Sequence, residues 1–254
     1  MALEGAAVLV SLDDQSGRDA VERMRADFVA NASHELRTPL AAILGYVETL
    51  LDPAAGADSA LRARFLGIIN NEAQRMQQLI EDLLSISRIE ASKAQPLDEV
   101  LSLADLTRSV VAEITAGGRP RAADIALTLT QDGTIRADRA QLSQVIHNLI
   151  GNAMKYGRAG TPVRVALDTT GHGLVRLSVT DEGEGIPAEH LPRLTERFYR
   201  VDSARSRALG GTGLGLAIVK HVTERHRGRL DIASEVGKGT TVSLFLPPAA
   251  PAES

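Results

Sequence analysis

A chain of 254 residues is long enough to bury a sizeable core and to divide into one large or two modest domains. Its net charge of -4 is spread along the sequence rather than gathered into a basic tail or patch, which argues against nucleic acid as a partner. The absence of cysteine removes disulfides, thiolate nucleophiles and thiolate metal sites, and with no tryptophan and four phenylalanines the core has to be mostly aliphatic.

No apolar run approaches the roughly 20 residues that span a bilayer, and the first residues lack a signal-peptide pattern. The expectation is a soluble, cytoplasmic chain without direct membrane contact, whose parent protein can still be anchored elsewhere. Residues Ala6 to Ser11 read as the last strand of a missing upstream module, which makes 1–16 a remnant and linker. From Gly17 to about Leu51 the chain reads as one long helix. Leu36, Leu40, Ile43, Val47 and Leu50 recur at steps of four and three and fall within roughly 40° of one direction. Val21, Met24 and Phe28 keep a similar spacing upstream, as in a coiled-coil lead-in. Leu51 to Ser59 is a loop, and Ala60 to Ala91 forms a second helix with Leu61, Phe65, Ile68, Met76, Leu79, Leu83 and Ile86 on one face. A lone hairpin over 17–92 buries too little, so a homodimer forming a four-helix bundle is expected.

Residues 93–98 break the periodicity and serve as a linker. Beyond them, 99–248 mixes helices and alternating strands. Ser102 caps a helix with Asp105 in the reciprocal position, and Asp138 caps another with Gln141 in the capping-box place. Ile125 to Thr130, Val163 to Leu167, Val175 to Thr180, Arg229 to Ala233 and Thr241 to Leu246 alternate as strands. Helices on one face of a mixed sheet give an α/β sandwich. Residues 249–254 are expected to be a disordered tail.

Two clusters carry chemistry. In Ser33-His34-Glu35-Leu36-Arg37-Thr38-Pro39-Leu40, His34 and Thr38 lie roughly 160° and 200° around the helix from the apolar stripe, one turn apart and facing water. A neutral imidazole nitrogen is a competent nucleophile, and the adjacent Glu35 suits a base or an orienting group. Pro39 leaves the Glu35 carbonyl without its helical partner. Taken singly, an exposed histidine is more often plain surface, and His147, His172, His190, His221 and His226 have no metal-ligand spacing.

The second cluster has the character of a nucleotide site. Asn148, Asn152 and Lys155 share the polar side of a helix ending at Tyr156; an amide oxygen can ligate Mg²⁺ and an ammonium can meet a phosphate. Asp181 ends a strand and can accept from a base amino group, with Gly183 and Gly185 letting the backbone pass close beneath a ligand. Gly210 to Leu216 contains GxGxG and opens a helix whose free N–H groups suit phosphates. Phe198 to Arg207 reads as a lid whose Arg200, Arg205 and Arg207 reach toward a triphosphate, with Phe198 at its hinge. Each motif alone also reads as a turn or a polar face. Neither a P-loop nor a dinucleotide fingerprint is present.

The order of these motifs resembles bacterial sensor histidine kinases of two-component systems, most closely the phosphate-regulon sensor type, over about residues 20 to 248. That resemblance implies that His34 is the phosphoacceptor, Glu35 its acid/base partner, and Thr38 a residue that with Glu35 orients water for dephosphorylating the partner. It implies a Bergerat-type ATPase domain that binds ATP and Mg²⁺. There Asn152 would hold the metal with help from Asn148, Lys155 would approach the phosphates, and Tyr156 would pack at the nucleotide. Asp181 would read the adenine, with Gly183, Gly185, Arg200, Gly211, Gly213, Leu214, Gly215 and Thr240 completing the site. The implied partners are a second copy and a receiver domain of a response regulator, recognised around Ala42 to Glu48 and Ala73 to Ile80. The missing upstream module is then expected to be PAS-like. Rival readings are a phosphatase-dominant regulator, a phosphotransfer or dimer scaffold that does not hydrolyse ATP, and a gyrase-like ATPase that would need neither His34 nor the hairpin.

Overall fold

Apolar residues at steps of three and four, set among good helix formers, favour helix over strand, and the N-terminal part of the chain forms two long helices. The computed structural model describes residues 16–53, 57–92, 95–118, 121–202, 206 and 209–249, with side chains from Val29 onward. Helix α1 spans Ser16–Leu51 and continues through the buried Pro39; α2 spans Ser59–Ala91. The Asp58 carboxylate caps α2, accepting from the N–H groups of Ala60 and Leu61 at 2.9 and 3.0 Å. The expected strand at 6–11, the linker residues 93–94, Arg205 and Arg207, and the tail from 250 lie outside the described residues, as do the side chains of Val21, Met24 and Phe28.

The pairs Glu35–Arg75 and Tyr46–Phe65 show α1 and α2 running antiparallel as a hairpin. Within one chain the apolar stripe of α1 is only partly covered. Leu36, Ile43 and Leu50 are half-buried, whereas Leu40 and Val47 are 45% and 39% exposed and are joined by Leu44 and Leu51 at 60% and 77%. Leu66, Ile80 and Leu84 on α2 are exposed as well. The hairpin is apolar on more of its circumference than its own packing covers, which a single stripe read at 100° per residue does not register.

The second half is an α/β sandwich. Its first elements are β1 (Val100–Ser102), α3 (Leu103–Ala116), β2 (Ile125–Leu129) and β3 (Thr134–Arg136). These are followed by α4 (Arg139–Tyr156), β4 (Val163–Thr169), β5 (Val175–Asp181), α5 (Gly215–Arg225), β6 (Arg229–Glu235) and β7 (Gly239–Leu246). Among the described residues five strands form one sheet in the order β2-β4-β5-β7-β6, with β2 parallel to β4 and the other neighbours antiparallel. Val163, Val165, Leu167, Val175, Leu177 and Val179 turn inward to meet Leu106, Val110, Leu142, Ile146, Leu149, Ile218 and Val222 of the three helices. The pair β1–β3 was not anticipated, because strands of three residues are too short to show an alternating period.

Both predicted N-caps form, but neither capping box closes. Ser102 Oγ accepts from Asp105 N at 3.1 Å, while the Asp105 carboxylate turns to Arg108. Asp138 Oδ1 accepts from Gln141 N at 3.0 Å, while Asp138 N donates to Nε2 of His226 at 3.0 Å and Gln141 Oε1 accepts from Arg225. His226 is 3% exposed and places its Nδ1 2.8 Å from the Val222 carbonyl. With Nδ1–H donating there, Nε2 must be the unprotonated acceptor. The two halves meet along α2 and α5, with Leu79, Ile86 and Ile89 of α2 buried in the common core.

Burial holds the His226 ring neutral, pushing its pKa below the ordinary value. The unfolded chain therefore binds a proton that the folded chain refuses. Stability contributed by this ring is complete above the unfolded pKa of about 6.5 and declines as the pH falls toward the depressed folded value, at up to ~1.4 kcal/mol per pH unit. Denaturant unfolding between pH 7.5 and 5 should show this decline, and His226→Gln should flatten it.

Candidate functional site

Helix α4 presents an apolar side to the sheet, with Leu142, Val145, Ile146, Leu149 and Ile150 buried, and a polar side to a cavity of about 900 Å³. Asn148, Asn152, Lys155 and Tyr156 lie in the wall of that cavity, with Asp181, Gly185, Arg200, Gly211, Gly213, Gly215 and Thr240. Thus most of the residues singled out in the C-terminal sequence converge in one place. Asn148 Nδ2 donates to Gly215 O at 3.4 Å and Lys155 Nζ to Gly210 O at 3.5 Å, linking α4 to the glycine-rich loop. The Tyr156 hydroxyl lies 2.8 Å from Ser206 Oγ.

Asp181 sits at the end of β5 opposite Thr240 of β7 and is 9% exposed. Burial pushes its pKa up; the N–H groups of Gly183 and Thr240 and the charge of Arg121 oppose the rise. Gly183 N donates to Asp181 Oδ1 at 2.8 Å, which fixes the carboxylate's orientation. The expectation that Gly183 and Gly185 make room for a ligand needs correction. A Cβ on Gly183 would lie 2.4 Å from the Tyr156 carbonyl oxygen, and one on Gly185, at φ +71°, would lie 2.1 Å from that of Glu235. These glycines let segments of the chain itself approach one another.

Gly215, also in the wall, opens α5 without any side-chain cap. Uncapped N–H groups at a helix N-terminus facing a polar cavity suit an anion. Gly183 and Leu214, expected to help hold the nucleotide, stand outside the wall. Gly183 lies behind Asp181, and Leu214 is fully buried with its N–H donating to Thr212 Oγ1 at 3.3 Å. Phe198 holds φ +66° and its N–H donates to Gly213 O at 2.8 Å, which ties the approach to the lid segment to the glycine-rich loop.

His34, Glu35 and Thr38 are not in the cavity wall. His34 is exposed and Thr38 Oγ1 donates to the His34 carbonyl at 3.2 Å. Glu35 Oε2 accepts from Arg75 at 3.1 Å and from Arg200 at 2.8 Å. Arg200, expected at phosphates, is 6% exposed and spans from Glu35 to the Thr212 carbonyl, also at 2.8 Å. It therefore joins the histidine helix to the cavity loop.

Sequence reasoning missed the hairpin's own share of the cavity. Gln78, Glu81 and Asp82 of α2 line it. Asp82 is 3% exposed, accepts from Thr212 Oγ1 at 2.6 Å and from Gln78 Nε2 at 3.0 Å, and has its pKa raised chiefly by burial. The signal was present: an aspartate between Leu79 and Leu83 on the buried face of α2 needs a partner. Among the described residues no cluster of histidine and carboxylate ligands can hold a metal. The donors suited to a cation are the amide oxygens of Asn148 and Asn152, and together with the uncapped α5 terminus they fit a magnesium-bound polyphosphate.

Comparison with known families agrees with this division. Residues 24–92 match the His Kinase A (phospho-acceptor) domain, and residues 137–250 match the histidine kinase-, DNA gyrase B- and HSP90-like ATPase family, so the α/β sandwich is of the Bergerat type. The phosphate regulon sensor protein PhoR of Pseudomonas aeruginosa is 44% identical over 235 residues, 92% of this chain and 52% of that protein. Sensor protein SrrB of Staphylococcus aureus is 35% identical over 244 residues, 94% of this chain and 41% of that protein. The chain thus spans about half the length of these curated relatives. Among solved structures, the Acinetobacter baumannii histidine kinase AdeS superposes with a TM-score of 0.65 at 25% identity, covering 85% of this chain and 98% of that one. Full-length ShkA in complex with AMPPNP gives 0.60 at 28% identity, covering 89% and 47%.

The Thr212–Asp82 contact makes a direct prediction. Asp82→Ala removes the buried acceptor that pins the glycine-rich loop to α2, and amide exchange at Gly211, Gly213 and Leu214 should accelerate by about tenfold, as expected for loss of a charge-assisted hydrogen bond.

Proposed function

This chain carries the core of a bacterial two-component sensor histidine kinase, and we propose that it moves the γ-phosphoryl group of ATP to His34 and then to an aspartate of a response-regulator receiver domain. The observation that carries this reading is the cavity itself. A carboxylate suited to a base amino group, Asp181, shares its wall with amides, an ammonium and an uncapped helix N-terminus, and Arg200 links it to the residue beside His34. The AMPPNP held by ShkA supports the choice of nucleotide.

In the proposed mechanism Asp181 accepts from the adenine amino group and Tyr156 packs beside the base. Asn152, assisted by Asn148, would hold Mg²⁺, while Lys155 and the N–H groups at Gly213 and Gly215 would bind the phosphates. Bound Mg²⁺ supplies neutralisation of the charge that develops on the leaving oxygen. His34 attacks through the neutral Nε2, a nitrogen–phosphorus bond replaces the bond to the leaving oxygen, and the Nδ1 proton passes to Glu35. Because both guanidinium groups hold Glu35 and His34 lies outside the cavity wall, the ATPase domain has to leave this docked arrangement before transfer. We assign that movement to the linker at 93–98, between a phosphotransfer hairpin at 17–92 and a catalytic domain at 99–248. Thr38, released from the His34 carbonyl, would orient water with Glu35 for dephosphorylation of the receiver.

The uncovered apolar residues Leu40, Leu44, Val47 and Leu51 on α1, with Ile80 and Leu84 on α2, support a homodimer through the hairpin. The 44% identity to PhoR against 35% to SrrB favours the phosphate-regulon type. Among the described residues no helix is long and apolar enough to cross a membrane. We place the core on the cytoplasmic side, where ATP and receiver domains are found.

His34→Gln should abolish acid-labile labelling from γ-labelled ATP while nucleotide binding persists; retained labelling would remove His34 from the mechanism. Asn152→Ala should lose the Mg²⁺ dependence of nucleotide binding. Thr38→Ala should slow receiver dephosphorylation by about a hundredfold, in the range of one lost proton-transfer or positioning group, with labelling of His34 little changed. Leu44→Arg should convert the sedimenting dimer to monomer.

A further inference from the structure

We propose that Arg121 is a positioning residue of the nucleotide site, setting its selectivity for an adenine base by fixing the end of α4 against Asp181. The proposal rests on reading the cavity as a nucleotide site. Arg121 precedes β2 and lies outside the cavity wall, yet four of its N–H bonds are committed around the site's frame. Nη1 donates to the carbonyls of Met154 at 2.8 Å and Gly157 at 2.7 Å, Nη2 to that of Thr161 at 3.0 Å, and Nε to Asp124 Oδ2 at 2.9 Å. The last carbonyls of a helix lack partners of their own, so this guanidinium closes α4 just where Tyr156 enters the cavity wall.

The connection onward to Asp181 is short. Gly157 pairs with Gly183 as an isolated antiparallel bridge, and Gly183 N donates to Asp181 Oδ1. A Cβ placed on Gly157 would lie 3.1 Å from Asp181 Cβ and 3.3 Å from Arg121 Nη1, so both side chains border the same Gly157 backbone. Arg121 is the cation acting on Asp181; the neighbouring Glu182 is turned to Arg164, and the remaining groups on the carboxylate are the N–H groups of Gly183 and Thr240. Arg121 also holds φ +69°, a left-handed conformation that a residue with a side chain keeps only where its surroundings fix it. A lysine carries the charge but cannot serve three carbonyls and a carboxylate from one rigid fork.

Adenine presents an amino donor to Asp181, whereas hypoxanthine presents a carbonyl oxygen at the same position, which a fixed carboxylate repels. Selectivity between ATP and ITP therefore reads how firmly Asp181 is placed. The test is calorimetric titration of the full chain with Mg-ATP and with Mg-ITP, for wild type, Arg121→Gln, Arg121→Lys and Asp124→Asn, each checked for folding by circular dichroism. Wild type prefers ATP. Both Arg121 variants reduce that preference by about tenfold or more, mainly through weaker ATP binding, and lysine does not rescue it. Asp124→Asn, which frees the guanidinium from its acidic anchor, shifts the ratio in the same direction and keeps the test available if the Arg121 variants do not fold. An unchanged ratio in the folded variants, or equal weakening of both nucleotides, overturns the proposal. A wild-type chain that binds neither nucleotide, or both equally, overturns the underlying reading of the cavity instead.

Discussion

The hydrogen bond from Thr212 to the buried carboxylate of Asp82 joins the two halves of the chain at the loop on which the chemistry turns. A carboxylate withdrawn from water costs several kcal/mol unless it is partnered, so Asp82 tolerates this place in α2 because the glycine-rich loop supplies a donor. Arg200 repeats the arrangement from the other side, gripping the Thr212 carbonyl while binding Glu35 of α1. One short loop thus opens α5, walls the cavity and docks against both hairpin helices. Whatever binds at the loop and whatever the hairpin offers it share the same polar groups, and by linkage each changes the hold of the other.

This arrangement gives physical content to the separation of nucleotide and acceptor. His34 is open to water and Glu35 is engaged by two guanidiniums, so the proposed acceptor is accessible while its neighbour is held. On the proposed function, a receiver aspartate would need the same open histidine face as the nucleotide, and the two could not use it together. The docking combines polar contacts at Glu35 and Asp82 with the buried Leu79, Ile86 and Ile89 of α2, so leaving it exposes apolar as well as polar surface. The uncovered leucines of the hairpin lie on surface that this intramolecular docking leaves free.

Much of this was legible because it is local. The hairpin follows from apolar spacing, and the caps at Ser102 and Asp138 from a side chain reaching three residues along its own helix. Asp181 and the glycine-rich loop could be selected because each combines an unusual residue type with the end of an element, and Asn152 because it shares a polar helix face with Asn148 four residues away. What stayed hidden depends on distant residues. Nothing near Asp138 announces that His226 takes its N–H, and nothing near Arg200 announces Glu35. The glycines at 183 and 185 were noticed for the right steric reason but the wrong neighbour, since the approaching atoms are the chain's own carbonyls. The split of the α1 stripe reflects partners that a helical period does not encode.

The proposed function requires that phosphate from the cavity come to rest on His34 and not on an imidazole lining the cavity. His147 lines the cavity wall and is the natural competitor. The most direct measurement is phosphopeptide mapping of the intact chain after incubation with Mg-ATP, under alkaline conditions that preserve a phosphorus–nitrogen bond. Phosphate confined to the tryptic peptide 26–37 is expected. Phosphate on the peptide that contains His147, with none on 26–37, would contradict it.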